Sequence, residues 1–269
     1  MTWTLSYCTL DRSPMFGLVE SLEEQVCAAA AAGFSLVTAD VFSLRAYRDS
    51  HNGTVQGLRA VVDECGLATY DLSGVTISDD AATSLRELDE FLTFARELDV
   101  RWIQSRLVVD SRESRAIYAE AARRVADAGF GFAFEYSPFV PVCTLRAAAA
   151  LVGDIAQHVP RQAVIVDTWH FFRTGDTFDD LRSLDPALFG YVQLDDAVEA
   201  GPDMRHDTLH RRALPGRGIL PLGSFLDTCE ELGLTGVLSV EVLNDDLRTL
   251  PAGTYARTVA DATNALLAR

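Results

Sequence analysis

Residues 130–135 read FGFAFE. Side chains along a β-strand alternate between its faces, so Gly131, Ala133 and Glu135 share one side, and Phe130, Phe132 and Phe134 share the other. One face is small and ends in a carboxylate, and the other is broad and apolar. A strand that packs large residues outward against helices and turns small ones inward beside an acid suits the wall of an α/β barrel. The same design recurs at 163–167 (AVIVD), 189–193 (FGYVQ) and 236–241 (GVLSVE). Each run is β-branched or aromatic, and the four close on the oxygen-bearing side chains Glu135, Asp167, Gln193 and Glu241. Any one of these could simply cap a following helix. Four at strand ends point instead to a shared site.

Working outward, apolar strand candidates also occur at 4–8, 36–41, 68–72, 102–108, 190–194 and 237–242, which makes eight with 130–135 and 163–167. Segments with helical spacing lie between them at 19–32, 54–65, 84–98, 111–128, 145–158, 178–184 and 222–232, and 254–267 supplies an eighth. Gly33, Gly66, Gly129 and Gly233 stand where helices should stop, just before the next strand. Strict alternation implies a parallel sheet with right-handed crossovers, and eight units predict an α/β fold, a single (β/α)8 TIM barrel spanning residues 1–269 as one domain. A doubly wound open sheet is the competing fold. No G-x-G-x-x-G follows the first strand, where a dinucleotide-binding sheet would carry one.

Composition bounds the chemistry. The chain has 39 acidic and 23 basic side chains, a formal charge of −16, which opposes binding to nucleic-acid phosphates or anionic membrane surfaces. The sequence holds no apolar run long enough for a membrane span and no basic leader followed by an apolar stretch. Cys8, Cys27, Cys65, Cys143 and Cys229 are scattered, with no C-x-x-C pair, so neither a disulfide framework nor a zinc knuckle is indicated. A reducing cytoplasm is the expected location. In a barrel, catalysis belongs at the C-terminal ends of the strands, where the four oxygen-bearing residues fall. Three carboxylates and one amide oxygen form a hard donor set, suited to Mn²⁺, Mg²⁺ or Co²⁺. Carboxylates this close would otherwise repel, and a divalent metal ion resolves that conflict.

Five segments together resemble the xylose isomerase-like barrel superfamily: FAFEYSPF around Glu135, VIVDTWHFF with Asp167 and His170, YVQLDDA with Gln193, HRRALPGRG from His210 to Gly218, and LSVEVLNDD around Glu241. That group includes sugar and sugar-phosphate isomerases, epimerases, inosose-processing enzymes and 3-dehydroshikimate dehydratases. The resemblance implies that Glu135, Asp167, Gln193 and Glu241 bind a divalent metal. The third position is commonly histidine. Glutamine there, with VQ-x-x-DA around it and Asn244–Asp245 after the last glutamate, is similar to the dehydroshikimate dehydratase branch. That branch carries an arginine after the third strand, where this chain reads TYDLSGVTIS at 69–78.

The implied activity is metal-dependent isomerisation or epimerisation of a keto-sugar or keto-polyol through an enediolate, with Glu135 and Glu241 as the acid/base pair. Dehydration is the alternative, with His170 as base or acid and a cyclic hydroxy acid as substrate. A barrel that binds a ligand without turnover is a further alternative, and an endonuclease is disfavoured by charge and by only five histidines. Among the basic residues after Gln193, Arg212 is expected to contact substrate, while salt bridges to Asp195, Asp196, Asp203 and Asp207 are the competing use of such cations. Arg106, in the fourth strand, is expected as a second anion contact. A homodimer is expected by analogy alone.

Overall fold

A computed structural model describes residues 3–18 and 20–269. In chain order the elements are β1 (Thr4–Cys8), α1 (Leu22–Ala31), β2 (Leu36–Asp40), α2 (Val41–Ser50), α3 (Gln56–Glu64), β3 (Ala68–Ile77), α4 (Ala81–Leu98), β4 (Trp102–Leu107), α5 (Arg112–Asp127), β5 (Gly131–Glu135) and α6 (Leu145–Ala156). They continue with β6 (Gln162–Asp167), α7 (Thr168–Arg173), α8 (Phe178–Arg182), β7 (Phe189–Leu194), the short β8 (Asp196–Ala197), α9 (Met204–His210), β9 (Arg212–Ala213), α10 (Leu222–Glu231), β10 (Val237–Val240), α11 (Asp245–Arg248) and α12 (Ala252–Leu267). Strands β1 to β7 pair in sequence and β10 closes between β7 and β1, so eight parallel strands form a complete ring. The chain therefore folds as the expected (β/α)8 barrel. Strands β8 and β9 form an antiparallel ribbon outside it.

The two faces of FGFAFE separate as strand geometry requires. Phe132 and Phe134 are fully buried outside the ring against Tyr118 of α5, with ring centroids 5.1 and 5.6 Å apart. Ala133 faces inward with Trp102, Ala163, Ile165 and Tyr191. Gly131 pairs with Trp102 across β4 and β5, and a Cβ at Gly131 would overlap the Trp102 ring. Inside the ring a polar layer follows. The Thr38 hydroxyl donates to Asp71 at 2.6 Å and Tyr191 to the other Asp71 oxygen at 2.5 Å. Having spent its proton, Thr38 accepts from Ser6 and Ser239 at 2.9 and 2.7 Å.

The expected stop glycines Gly33, Gly66, Gly129 and Gly233 all take the left-handed conformation after α1, α3, α5 and α10. Helix α1 starts at Leu22 because Ser21 caps it, and Val19, at the start of the expected helix, lies outside the described residues. Helices α2 and α7 were not anticipated. Asp40 ends β2 and accepts the Ser43 amide, and Asp167 ends β6 and accepts the His170 amide, so each strand passes into a helix with no intervening loop. Strand β3 runs on to Ile77 through a register shift between Leu72 and Val75. Among the described residues no helix is long and apolar enough to cross a membrane.

Candidate functional site

Glu135 closes β5, Asp167 closes β6, Gln193 lies near the end of β7 and Glu241 follows β10 directly. These four strands are consecutive around the ring, so their side chains enter one cup at the C-terminal mouth. The cup opens into a cleft of about 700 Å³, lined among others by Glu135, His170, Glu241, Arg106, Arg205 and Arg212. This volume suits a small organic molecule.

The tightest group is Glu135, Asp167 and His170, which can each place one ligand atom within 4.8 Å of the others. His170 Nε2 stands 3.7 Å from Glu135 Oε1 and 4.0 Å from Asp167 Oδ2. Asp167 serves two purposes: Oδ1 caps α7 through the His170 amide at 2.8 Å, and Oδ2 faces the cup. The capping alternative therefore holds for Asp167 alongside its place in the cluster. Gln193 joins Glu241 through a 3.5 Å amide contact, and Cys8 reaches the same carboxylate at 3.5 Å.

Arg212 ties these groups together. Its Nη1 donates to Asp167 Oδ2 at 2.9 Å, to Glu241 Oε2 at 3.2 Å and to Asp195 Oδ2, while Nε and Nη2 bond the Thr208 carbonyl and hydroxyl at 2.9 and 3.0 Å. Arg212 is 2% exposed, so this is a desolvated charge cluster and not a surface salt bridge. Asp195, two residues beyond Gln193, also holds the Thr168 hydroxyl at 2.6 Å and the Trp169 amide at 2.9 Å. The sequence offered Asp195 only as a salt-bridge partner for the loop cations; that pairing forms with Arg212, so the competing use holds for this arginine, and the pair lies inside the site. Its i+2 spacing from Gln193 puts both on one face of the chain.

Burial and crowding set the protonation. Burial, with Glu241 and Asp167 nearby, pushes Glu135 up to about 8. Burial also raises Glu241 and lifts Asp195 well above the usual carboxylate range, against the opposing pull of Arg212. Asp167 goes the other way: burial would raise it, but Arg212 and the groups around His170 hold it below its ordinary value. Burial drives His170 down to about 4, so its imidazole is neutral at pH 7.

The other basic residues divide. Arg211 pairs with Asp207 at 2.6 Å, which is the competing use for that cation. Asp196 and Asp203 instead accept backbone amides: Asp196 those of Gly216, Gly218 and Leu220, and Asp203 those of Arg205 and His206. Arg106 is exposed at the cleft, where its Nε donates to the Thr76 hydroxyl at 3.2 Å. Arg205 lies over the Phe139 ring at 4.8 Å. Phe171 and Phe172 pack against Phe225, away from the cleft, and Trp169 backs Arg212 at 5.8 Å.

A closed eight-stranded barrel with a carboxylate-rich cup at its C-terminal mouth defines the class. The model of the xylose isomerase-like TIM barrel family matches residues 26–266, and the chain belongs to that family. An inosose isomerase of Bacillus licheniformis is 28% identical over 125 residues, covering 46% of this chain and 44% of that protein. A 3-dehydroshikimate dehydratase of Pseudomonas putida is 30% identical over 108 residues, covering 40% of this chain and 16% of that one. These matches span less than half the length of either curated relative. Among solved structures, the IOLI protein with a bound zinc atom superposes with a TM-score of 0.85 at 17% identity, over 98% of both chains, a likeness of fold.

Proposed function

We propose that the chain is a divalent-metal-dependent isomerase or epimerase of a keto-sugar or keto-polyol. The observation that carries this reading is the pair Glu135 and Glu241. They line one cleft from strands three places apart in an eight-strand ring, and so face each other across the mouth. Two carboxyl groups on opposite sides of a bound substrate can remove a proton from one face and return one to the other. Burial beside Glu241 and Asp167 pushes the Glu135 carboxyl up to about 8, and a bound divalent cation would pull it back toward the carboxylate that a ligand and proton acceptor must be. The sugar-like substrate named for the inosose isomerase is consistent with this chemistry.

The donor set fits a hard divalent cation. Glu135, Asp167, Gln193 and Glu241 would hold it, and the buried Gln193 Oε1 has no hydrogen-bond partner among the described residues, as a ligand oxygen should. When bound, such an ion polarises a substrate oxygen and acidifies the neighbouring C–H. Arg212 bonds Asp167 and Glu241 and neutralises part of their charge, and Arg106, which lines the cleft, would bind a carboxylate or phosphate on the substrate. The Phe139 ring with Arg205 over it covers one side of the cleft.

Dehydration is favoured by a separate observation. His170 lies 3.7 Å from Glu135 in the cleft, within reach of a substrate held there, and would be the acid or base of an elimination. The dehydratase relative and the glutamine at position 193 support the same reading. One experiment separates the two. Metal-loaded protein is incubated with keto-hexoses, inososes and 3-dehydroshikimate, and products are followed by mass spectrometry and ultraviolet absorbance. A product of unchanged mass in ordinary water that becomes about one mass unit heavier in deuterium oxide supports isomerisation. Loss of water with a new absorbance moves the assignment to dehydration. No product from any of these, with metal bound, would leave a ligand-binding barrel.

A further inference from the structure

Cys27 lies on the exposed side of α1, and Cys65 follows the last residue of α3, the helix that packs beside α1 on the outside of the barrel. Their Sγ atoms stand 2.7 Å apart. That is closer than two non-bonded sulfurs rest, and only about 0.7 Å beyond the roughly 2.05 Å of a disulfide bond. Cys27 is open to solvent and Cys65 is half-buried, so a soluble oxidant can reach the pair. The remaining thiols differ: Cys8 and Cys229 are buried, and Cys143 sits apart on the segment before α6.

We propose that Cys27 and Cys65 form a reversible disulfide that staples α1 to α3 when the protein meets an oxidising small disulfide such as oxidised glutathione. The Cys27 thiolate attacks one sulfur of that disulfide and one glutathione thiolate leaves. The Cys65 thiolate then attacks the Cys27 sulfur and expels the second glutathione. Two electrons pass from the protein thiols to the glutathione disulfide, and the two thiol protons end on the two released glutathione thiols. Cys27 beside it pushes Cys65 up to about 11; once Cys27 is carried in the mixed disulfide its thiol no longer holds Cys65 protonated, and Cys65 makes the intramolecular attack. The bond closes a loop that contains β2 and α2, and α2 gives Val41, Phe42 and Arg45 to the cleft wall. Its principal effect is to restrict the unfolded chain, so oxidation raises thermal stability.

The test uses the full chain, reduced and then equilibrated with oxidised glutathione at neutral pH, acid-quenched and alkylated. The expected product is lighter by two hydrogen atoms, keeps Cys27 and Cys65 from the alkylating agent, and yields one cross-linked peptide containing both. Its Tm rises by about 5–10 °C and returns on adding dithiothreitol. Cys27→Ser and Cys65→Ser, both at solvent-accessible positions, should fold normally and lose the shift, while Cys143→Ser should keep it. A lasting glutathione adduct on either residue, a Cys27-linked dimer, or two unmodified thiols would each overturn the proposal.

Discussion

Arg212 sets the charge balance of the cup, because a single buried nitrogen serves Asp167, Asp195 and Glu241. Replacing Glu241 by glutamine keeps the side-chain shape and leaves Arg212 two carboxylates, so the fold should hold to within about 1 kcal/mol. The lost carboxylate is one of the two proposed proton-transfer groups, so turnover should fall by on the order of 10²–10⁴-fold, with weaker metal binding. Steady-state kinetics and a urea melt of Glu241→Gln check both, and full activity would remove Glu241 from the site. Asp71 gives a second prediction away from the proposed ligands. It is buried, bonded to Thr38 and Tyr191, and burial pushes its carboxyl up to about 7 against an ordinary value of 3.8. A raised carboxyl means that the folded state binds more protons than the unfolded one between these values. This group's contribution to stability is therefore full below about pH 4 and is lost as pH rises to about 7. Asp71→Asn removes the dependence, so the difference in unfolding free energy between wild type and variant should change by on the order of 2–4 kcal/mol between pH 4 and 7, in the variant's favour as pH rises. A constant difference across that range would show that Asp71 keeps its charge.

At the scale of elements, the strand ends were readable because a period of two combined with a terminal acid leaves little else that FGFAFE or AVIVD could be. Helices α2 and α7 were not readable, since Asp40 and Asp167 turn strand directly into helix without the glycine or proline that marks such a change. The four oxygen-bearing residues could be found one strand at a time. Asp195 was legible only as a possible partner of the loop arginines; its place between Thr168 and Arg212 inside the site was not, because those segments meet only in the closed ring. The meeting of Cys27 and Cys65, 38 residues apart, was invisible for the same reason. The alternation in β5 makes its own prediction. Gly131 is small because Trp102 fills the barrel interior beside it, and an added methyl must displace that ring. Gly131→Ala should cost about 1–3 kcal/mol and shift tryptophan fluorescence, measured by denaturant unfolding with an emission spectrum. An unchanged midpoint would mean that Trp102 has room to move.

Across the whole molecule, a formal charge of −16 complicates any test for a metal, because divalent cations stabilise an acidic protein by screening alone. A resident ion adds a term that screening does not, since a ligand binding only the folded state stabilises it by about 2.7 kcal/mol at 100 times its Kd. For a chain of this size that corresponds to roughly 5–10 °C in Tm. The two contributions part in Glu135→Ala, which removes only one of 39 acidic side chains, and that one from the cup and not from the surface. Melts of both proteins with EDTA, then with Mn²⁺, Mg²⁺ or Co²⁺ at constant ionic strength, should show a large metal-dependent rise in wild type and only the small screening rise in the variant. Elemental analysis should find about one ion per wild-type chain. Equal rises in the two proteins would assign all cation binding to the acidic surface, and the cup would then have to work with Arg212 as its buried cation.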